Sequence, residues 1–152
     1  RKVGTIIYGR EGEGNTGIRC GGVRKALKKH GLPVETALIR FALEDGYIEA
    51  IGKLLRLGID ALFCPGGNAG MVAAYALSLY NRKVPEDISL IASERTVFSR
   101  YAIPPQTTIT QDYGALAKAV ADALDARLNN LSVPHSTTIP YKLIVRDSVR
   151  TE

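Results

Sequence analysis

In the first ninety or so residues, four short apolar runs alternate with three segments of helical spacing. Val3–Tyr8, Val34–Ile39, Ile59–Cys64 and Ile88–Ala92 read as strands. Ile18–His30, Tyr47–Leu57 and Met71–Tyr80 read as helices. Ile18, Val23, Ala26 and Leu27 share a face of the first, and Ile48, Ile51, Leu54 and Leu55 share a face of the second. Gly31 and Gly58 stand where helix stops are expected. The strands are continuously apolar rather than alternating, as strands buried on both faces are. The expected fold is therefore α/β, a three-layer α/β/α arrangement around a parallel sheet. Ligands of such sheets bind in the crevice beyond the carboxyl ends of the strands. Here those ends lead into Gly9–Gly17, Arg40–Gly46, Pro65–Gly70 and Ser93–Pro105, which hold most of the unusual residues. The last third departs from the pattern. Ile103–Asp112 is an extended stretch, Tyr113–Leu128 a helix with Leu116, Val120, Ala123, Leu124 and Leu128 on one face, and Ile139–Val145 a final strand.

Composition removes several function classes. A chain of 152 residues suits one domain. Its 45% apolar and 23% charged residues are those of a soluble globular protein, and no run approaches the ~18 apolar residues of a membrane span, so no membrane partner is expected. The first residues enter a strand at once, so the start is expected to be a boundary within a longer chain or a processed end. The net charge of +5 is scattered. Its densest groups, Arg24–Lys25–Lys28–Lys29 and Arg146–Arg150, read as solvated faces, and no nucleic-acid-binding signature accompanies them. Cys20 and Cys64 form neither a metal motif nor a disulfide framework, which favours a reducing, cytoplasmic setting. Cys64 ends an apolar strand and reads as a small buried hydrophobe. His30 and His135 lie outside the strand-end loops, and Cys64 has no histidine near it in sequence to activate it. No enzymatic activity, cofactor or metal is expected.

GEGNTG, residues 12–17, matches the G-x-G-x-x-G signature of a dinucleotide-binding turn. Three features weigh against that use. Gly9, Arg10 and Glu11 separate the strand from the first glycine of the motif, whereas the true turn follows its strand directly. Glu11 and Glu13 repel a pyrophosphate. Ile39 and Arg40 replace the acidic residue that would bind a ribose, although Arg40 could accept a 2′-phosphate. The loop is expected to form part of the crevice rim, with a nucleotide-dependent oxidoreductase as the alternative.

The segments DALFCPGGNAGMVAAYAL, KVPEDISLIASE and YAIPPQTTITQD resemble the effector-binding core of the lactose/galactose repressor family of bacterial transcriptional regulators. The opening RKVGTIIYG…IRCGGVRKAL and the ending PYKLIVRDS fit as well, so the resemblance covers essentially the whole chain. It implies a periplasmic-binding-protein-like fold of type I. In this family a helix-turn-helix domain precedes two similar lobes that hold a small effector between them. Residues 1–105 would be the C-terminal lobe, 106–130 the crossover with a helix that packs on the other lobe, and 131–152 the return strand. The DNA-binding domain would be absent from the chain. The implied partners are a sugar, sugar phosphate or similar effector, a second copy in a homodimer, and DNA only through the absent domain. Effector binding would control DNA binding allosterically.

The resemblance also implies ligand contacts. Arg19 occupies the matching arginine position, Gln111 the glutamine beside the crossover, and Glu94 a position where the family usually has aspartate. Gly66 and Gly67 replace a typical Asn-Asp pair, so both side chains are gone, and backbone N–H groups could approach an anionic ligand there. Asn68 would supply the N-cap of the following helix or touch the ligand. Basic Arg95 points the same way, towards an anionic effector. One of Tyr8, Phe41, Tyr47, Phe98 and Tyr101 could stack on a sugar face. A transport-type solute-binding protein and a protein-interaction sensor with a degenerate site are the alternatives.

Overall fold

The computed structural model of the chain describes residues 1–66, 68–93 and 97–151. One mixed, mostly parallel sheet has six strands in the order β2-β1-β3-β4-β5-β6. These are β1 Val3–Tyr8, β2 Ile39–Ala42, β3 Ala61–Cys64, β4 Ser89–Ser93, β5 Thr107–Gln111 and β6 Tyr141–Ile144. The helices are α1 Thr16–Lys29, α2 Tyr47–Arg56, α3 Ala69–Leu79, α4 Phe98–Tyr101 and α5 Tyr113–Leu128. Strands β1 to β5 run parallel, whereas β6 is antiparallel to β5, with Gln111 opposite Tyr141. The expected three-layer parallel sheet is thus present, with the final strand added antiparallel at its edge. α5 carries the chain away from β5, and β6 comes back against the same strand without a crossover in the sheet.

Side chains alternate across each strand. Ile6, Leu62, Cys64, Leu90 and Ala92 face α2 and α3, where they form the main core with Leu38, Tyr47, Ile51, Leu54, Ala73 and Leu77. Ile7 and Ile39 face the other way, onto Cys20 of α1. Burial of each large aliphatic side chain in these layers contributes roughly 1.5–3 kcal/mol. The chain steps from β1 to β2 in one direction and then through β3, β4 and β5 in the other. Since such crossovers are right-handed, α1 falls on one face of the sheet and α2 and α3 on the other. The reversal lies between β1 and β3, which makes their carboxyl ends the switch point of the sheet.

Two stretches differ from expectation by more than two residues. The second strand, expected at Val34–Ile39, begins at Ile39, where Thr5 of β1 supplies its first partner. The residues before it, Thr36–Leu38, form a 3₁₀ turn that drops Leu38 into the core. The segment Ser93–Pro105, expected as a loop, contains the short α4. The helix stops fall as expected. After α1, the Leu32 N–H donates to the Leu27 carbonyl and the Gly31 N–H to that of Lys28, with Gly31 at φ +64°, a closure that needs a left-handed residue. α5 begins at Tyr113 and ends at Leu128, as the periodicity indicates, and its first turn is capped by Asp112 Oδ1, which accepts from the Ala115 N–H at 3.1 Å. None of its residues is buried, and Leu116, Val120, Leu124 and Leu128 are 38–83% exposed.

Candidate functional site at the switch point

β1 ends at Tyr8, the glycine loop follows, and Arg19 lies in the first turns of α1. β3 ends at Cys64, and Gly66 follows on the same side of the switch point. The structure brings these together. A Cβ built on Gly66 would stand 3.2 Å from Arg19 Nη1 and 3.7 Å from Tyr8 Cβ. Gly66 has φ +135°, a conformation that L side chains rarely adopt. Its N–H donates to the Cys64 carbonyl at 3.1 Å, and its own carbonyl accepts from the Ala69 N–H at 3.3 Å. The strand therefore turns sharply and leaves a side-chain-free shelf, on which the guanidinium rests. Among the described residues no carboxylate forms an ion pair with Arg19. A half-buried arginine of this kind keeps its planar fork of donors available for hydroxyl, carboxylate or phosphate oxygens.

The glycine loop is a turn of this rim. Gly9, Gly12 and Gly14 all have positive φ, Arg10 pairs with Glu13 at 3.9 Å, and Glu11 and Glu13 are exposed. Thr16 Oγ1 donates to the Glu13 carbonyl at 2.7 Å, which closes the loop onto α1.

Asn68 occupies the N-cap position of α3, but its side chain makes no capping hydrogen bond, which corrects the expected side-chain cap. It lines a cleft of about 200 Å³ between α3 and α4 instead, with Met71, Ser93, Phe98, Tyr101 and Gln106. Gln111 is the exposed last residue of β5. The pairing of Ser93 with Ile109 sets it at the carboxyl end of the sheet, two residues beyond the end of β4. Glu94 lies outside the described residues, as do Gly67 and Arg95. Of the aromatic candidates, Tyr47 is 1% exposed and belongs to the core, so it cannot stack on a ligand. Phe41 packs on the Ile7 layer. Phe98 and Tyr101 are exposed at the mouth of the α3–α4 cleft, and Tyr8 lies beside Gly66.

Sequence reasoning missed Gln106. It is 3% exposed, and its Nε2 donates to the Gly70 carbonyl in the first turn of α3 at 2.9 Å. Its backbone N–H donates to the Ser99 carbonyl at 2.8 Å, and its carbonyl accepts from Arg146 Nη1 at 2.6 Å. One residue thus joins α3, α4 and the segment after β6. A single glutamine in the extended run IPPQTT gives no periodic signal for such a role. Cys64 is fully buried beneath the crevice, and burial pushes its thiol up to about 12, so it is no nucleophile at neutral pH. Among the described residues no cluster of three or more His, Cys, Asp or Glu side chains could hold a metal ion. No helix among them is long and apolar enough to cross a membrane.

Reversed strand order, a glycine shelf and an arginine without a carboxylate partner among the described residues, all at the carboxyl ends, mark an α/β ligand-binding lobe. A profile of the periplasmic binding protein-like domain matches residues 1–149. The chain belongs to that family and matches the C-terminal effector region of transcriptional regulators of the lactose/galactose repressor type. It is 33% identical over 135 residues to the HTH-type transcriptional regulator DegA of Bacillus subtilis (strain 168), covering 86% of this chain and 40% of that protein. Similarity to the HTH-type transcriptional repressor PurR of Histophilus somni (strain 2336) is 31% over 153 residues, covering 96% and 45%. The solved structure of a transcriptional regulator CelR–cellobiose complex superposes with a TM-score of 0.81 at 25% identity, over 97% of this chain and 46% of that one. The chain thus spans less than half the length of these relatives.

Proposed function

We propose that the chain is the effector-sensing part of a transcriptional regulator and is not an enzyme. A small sugar or sugar-derived ligand would be held over the switch point by Arg19, the Gly66 backbone, Asn68, Glu94 and Gln111. The observation that carries this reading is the Arg19 guanidinium lying on the Gly66 shelf with no carboxylate partner among the described residues, at the place where sheets of this topology bind ligands. Residues 1–105 act as one lobe and 106–130 as the crossover, with α5 resting on a second lobe. The uncovered stripe Leu116–Val120–Leu124–Leu128 supports that arrangement. Ligand closes the two lobes, and the differential affinity for open and closed states sets DNA binding through a separate domain. The regulator works in the cytoplasm as a homodimer. Exposed Met71, Tyr75, Phe98 and Tyr101 on α3 and α4 supply apolar surface for self-association.

The test is a thermal-shift titration of the full regulator against neutral sugars, sugar phosphates, sugar acids, purines and nicotinamide dinucleotides. A ligand at about a hundred times its dissociation constant adds roughly 2.7 kcal/mol. Such a shift, lost in Arg19→Ala, supports the reading. A dinucleotide as the only ligand, or a ligand indifferent to Arg19→Ala, overturns it.

A further inference from the structure

A second cluster of cations lies away from the switch point, at the free edge of β2. A cleft of about 480 Å³ opens there. Ile39 and Phe41 belong to its α1 side and Ala42 to its α2 side. Arg24 therefore reaches it from α1, Lys53 from α2, and Arg40 from the strand between them. Lys53 is paired with Glu49 at 2.5 Å. Arg24 and Arg40 have no carboxylate partner among the described residues. The Nε of Arg40 is buried and meets no hydrogen-bond partner among the described residues. A buried N–H of a charged group costs free energy when no acceptor meets it, and such a group invites an acceptor from outside the chain.

We propose that this cleft is an oxyanion site in which Arg40 and Arg24 hold a compact dianion of the phosphate or phosphomonoester class. Two guanidinium groups present paired donors in the geometry that phosphate oxygens accept bidentately. β2 is an edge strand, so its outward backbone N–H groups add uncharged donors beside them. Among the described residues, Arg24, Arg40 and Lys53 face the carboxylates Glu49 and Glu11 in the cleft. Glu49 is occupied by Lys53, so Glu11, carried on the exposed glycine loop, is the internal competitor for the anion. The site is independent of the effector reading, since it uses neither Arg19 nor Gly66.

The experiment is a titration of the protein with inorganic phosphate at constant ionic strength, followed by NMR of the arginine Nε–Hε groups. The Arg40 signal is expected to shift and saturate. Arg40→Gln should weaken binding at least tenfold and Arg24→Gln several-fold, while Glu11→Gln should tighten it. Arg127→Gln, which removes the same charge from the exposed face of α5, should leave it unchanged. Parallel titrations with glycerol phosphate and a phosphoserine peptide tell whether a small metabolite or a modified protein is the better source of the phosphoryl group. A linear response, an equal response to chloride, equal losses in Arg127→Gln, or loss in Arg19→Gln in place of Arg40→Gln would each overturn the proposal. Should Arg40→Gln fail to fold, the Arg24→Gln and Glu11→Gln pair, with opposite expected signs, decides it.

Discussion

Glycine-to-alanine exchange in helices should change sign with position in this protein, and Gly70 is the informative case. By propensity alone, alanine stabilises a helix interior by about 1 kcal/mol relative to glycine. At Gly70, in the first turn of α3, the new methyl carbon would stand 2.5 Å from the Cβ of Ala92 on β4 and 2.7 Å from Gln106 Oε1. Neither neighbour is the far end of a flexible chain. Ala92 is fully buried in the sheet, and Gln106 is fixed by its hydrogen bond to the Gly70 carbonyl. α3 must move outward or Gln106 must let go. Overpacking of this kind costs typically 1–3 kcal/mol, to which the loss of a buried hydrogen bond adds about 1 kcal/mol. After the propensity gain is subtracted, Gly70→Ala should be destabilised by about 1–3 kcal/mol. At Gly21 and Gly22 of α1 an added methyl would meet nothing within 4 Å, so Gly21→Ala and Gly22→Ala should each gain about 0.5–1 kcal/mol. Urea unfolding by circular dichroism, with unchanged m-values, measures all three. A neutral or stabilised Gly70→Ala would refute the close packing of α3 on β4.

At Gly66, where φ is +135°, an alanine is strained by about 1–3 kcal/mol and displaces Arg19, so Gly66→Ala should lower both the melting midpoint and effector affinity. Cys64, buried and with its thiol raised to about 12, should resist a water-soluble disulfide reagent at pH 8 and react only after urea unfolds the chain; immediate reaction contradicts its burial. Asp112 is held below the usual carboxylate range, first by the hydrogen bond from Lys142 Nζ at 2.7 Å and then by the Ala115 N–H. A carboxyl whose folded value is depressed stabilises the fold above its unfolded value of about 3.9 and loses that contribution as pH falls through the folded value. Asp112→Asn should therefore narrow the stability difference between pH 6 and pH 2.5, and an unchanged acid profile would show that the cap and ion pair are not formed in solution.

The fold was largely legible in the chain because its signals are local. Continuous apolar runs such as VGTIIY and ALFC read as buried strands, although Ala61 and Phe63 of ALFC are only half-buried, and the spacing of Ile48, Ile51, Leu54 and Leu55 reads as a helix with one buried side. The boundary of β2 was not legible, since Val34–Leu38 is as apolar as a strand and pairing with Thr5–Tyr8 alone decides where the ladder starts. The same holds for β6, whose direction follows from the route of α5 and not from its residues.

The candidate site divides the same way. Residue types and their place after strand ends marked Arg19, Gly66, Asn68, Glu94 and Gln111 from sequence and resemblance. The tertiary structure decided that Arg19 rests on Gly66, that Asn68 does not cap α3 with its side chain, and that Tyr47 is core. It also exposed Gln106, which no motif marks, and showed that Arg40 Nε is buried with no partner among the described residues. Hydrophobic periodicity repeats along the chain and can be read there. A hydrogen bond between residues 36 positions apart, as from Gln106 to Gly70, depends on how the layers stack, and only the folded packing fixes it.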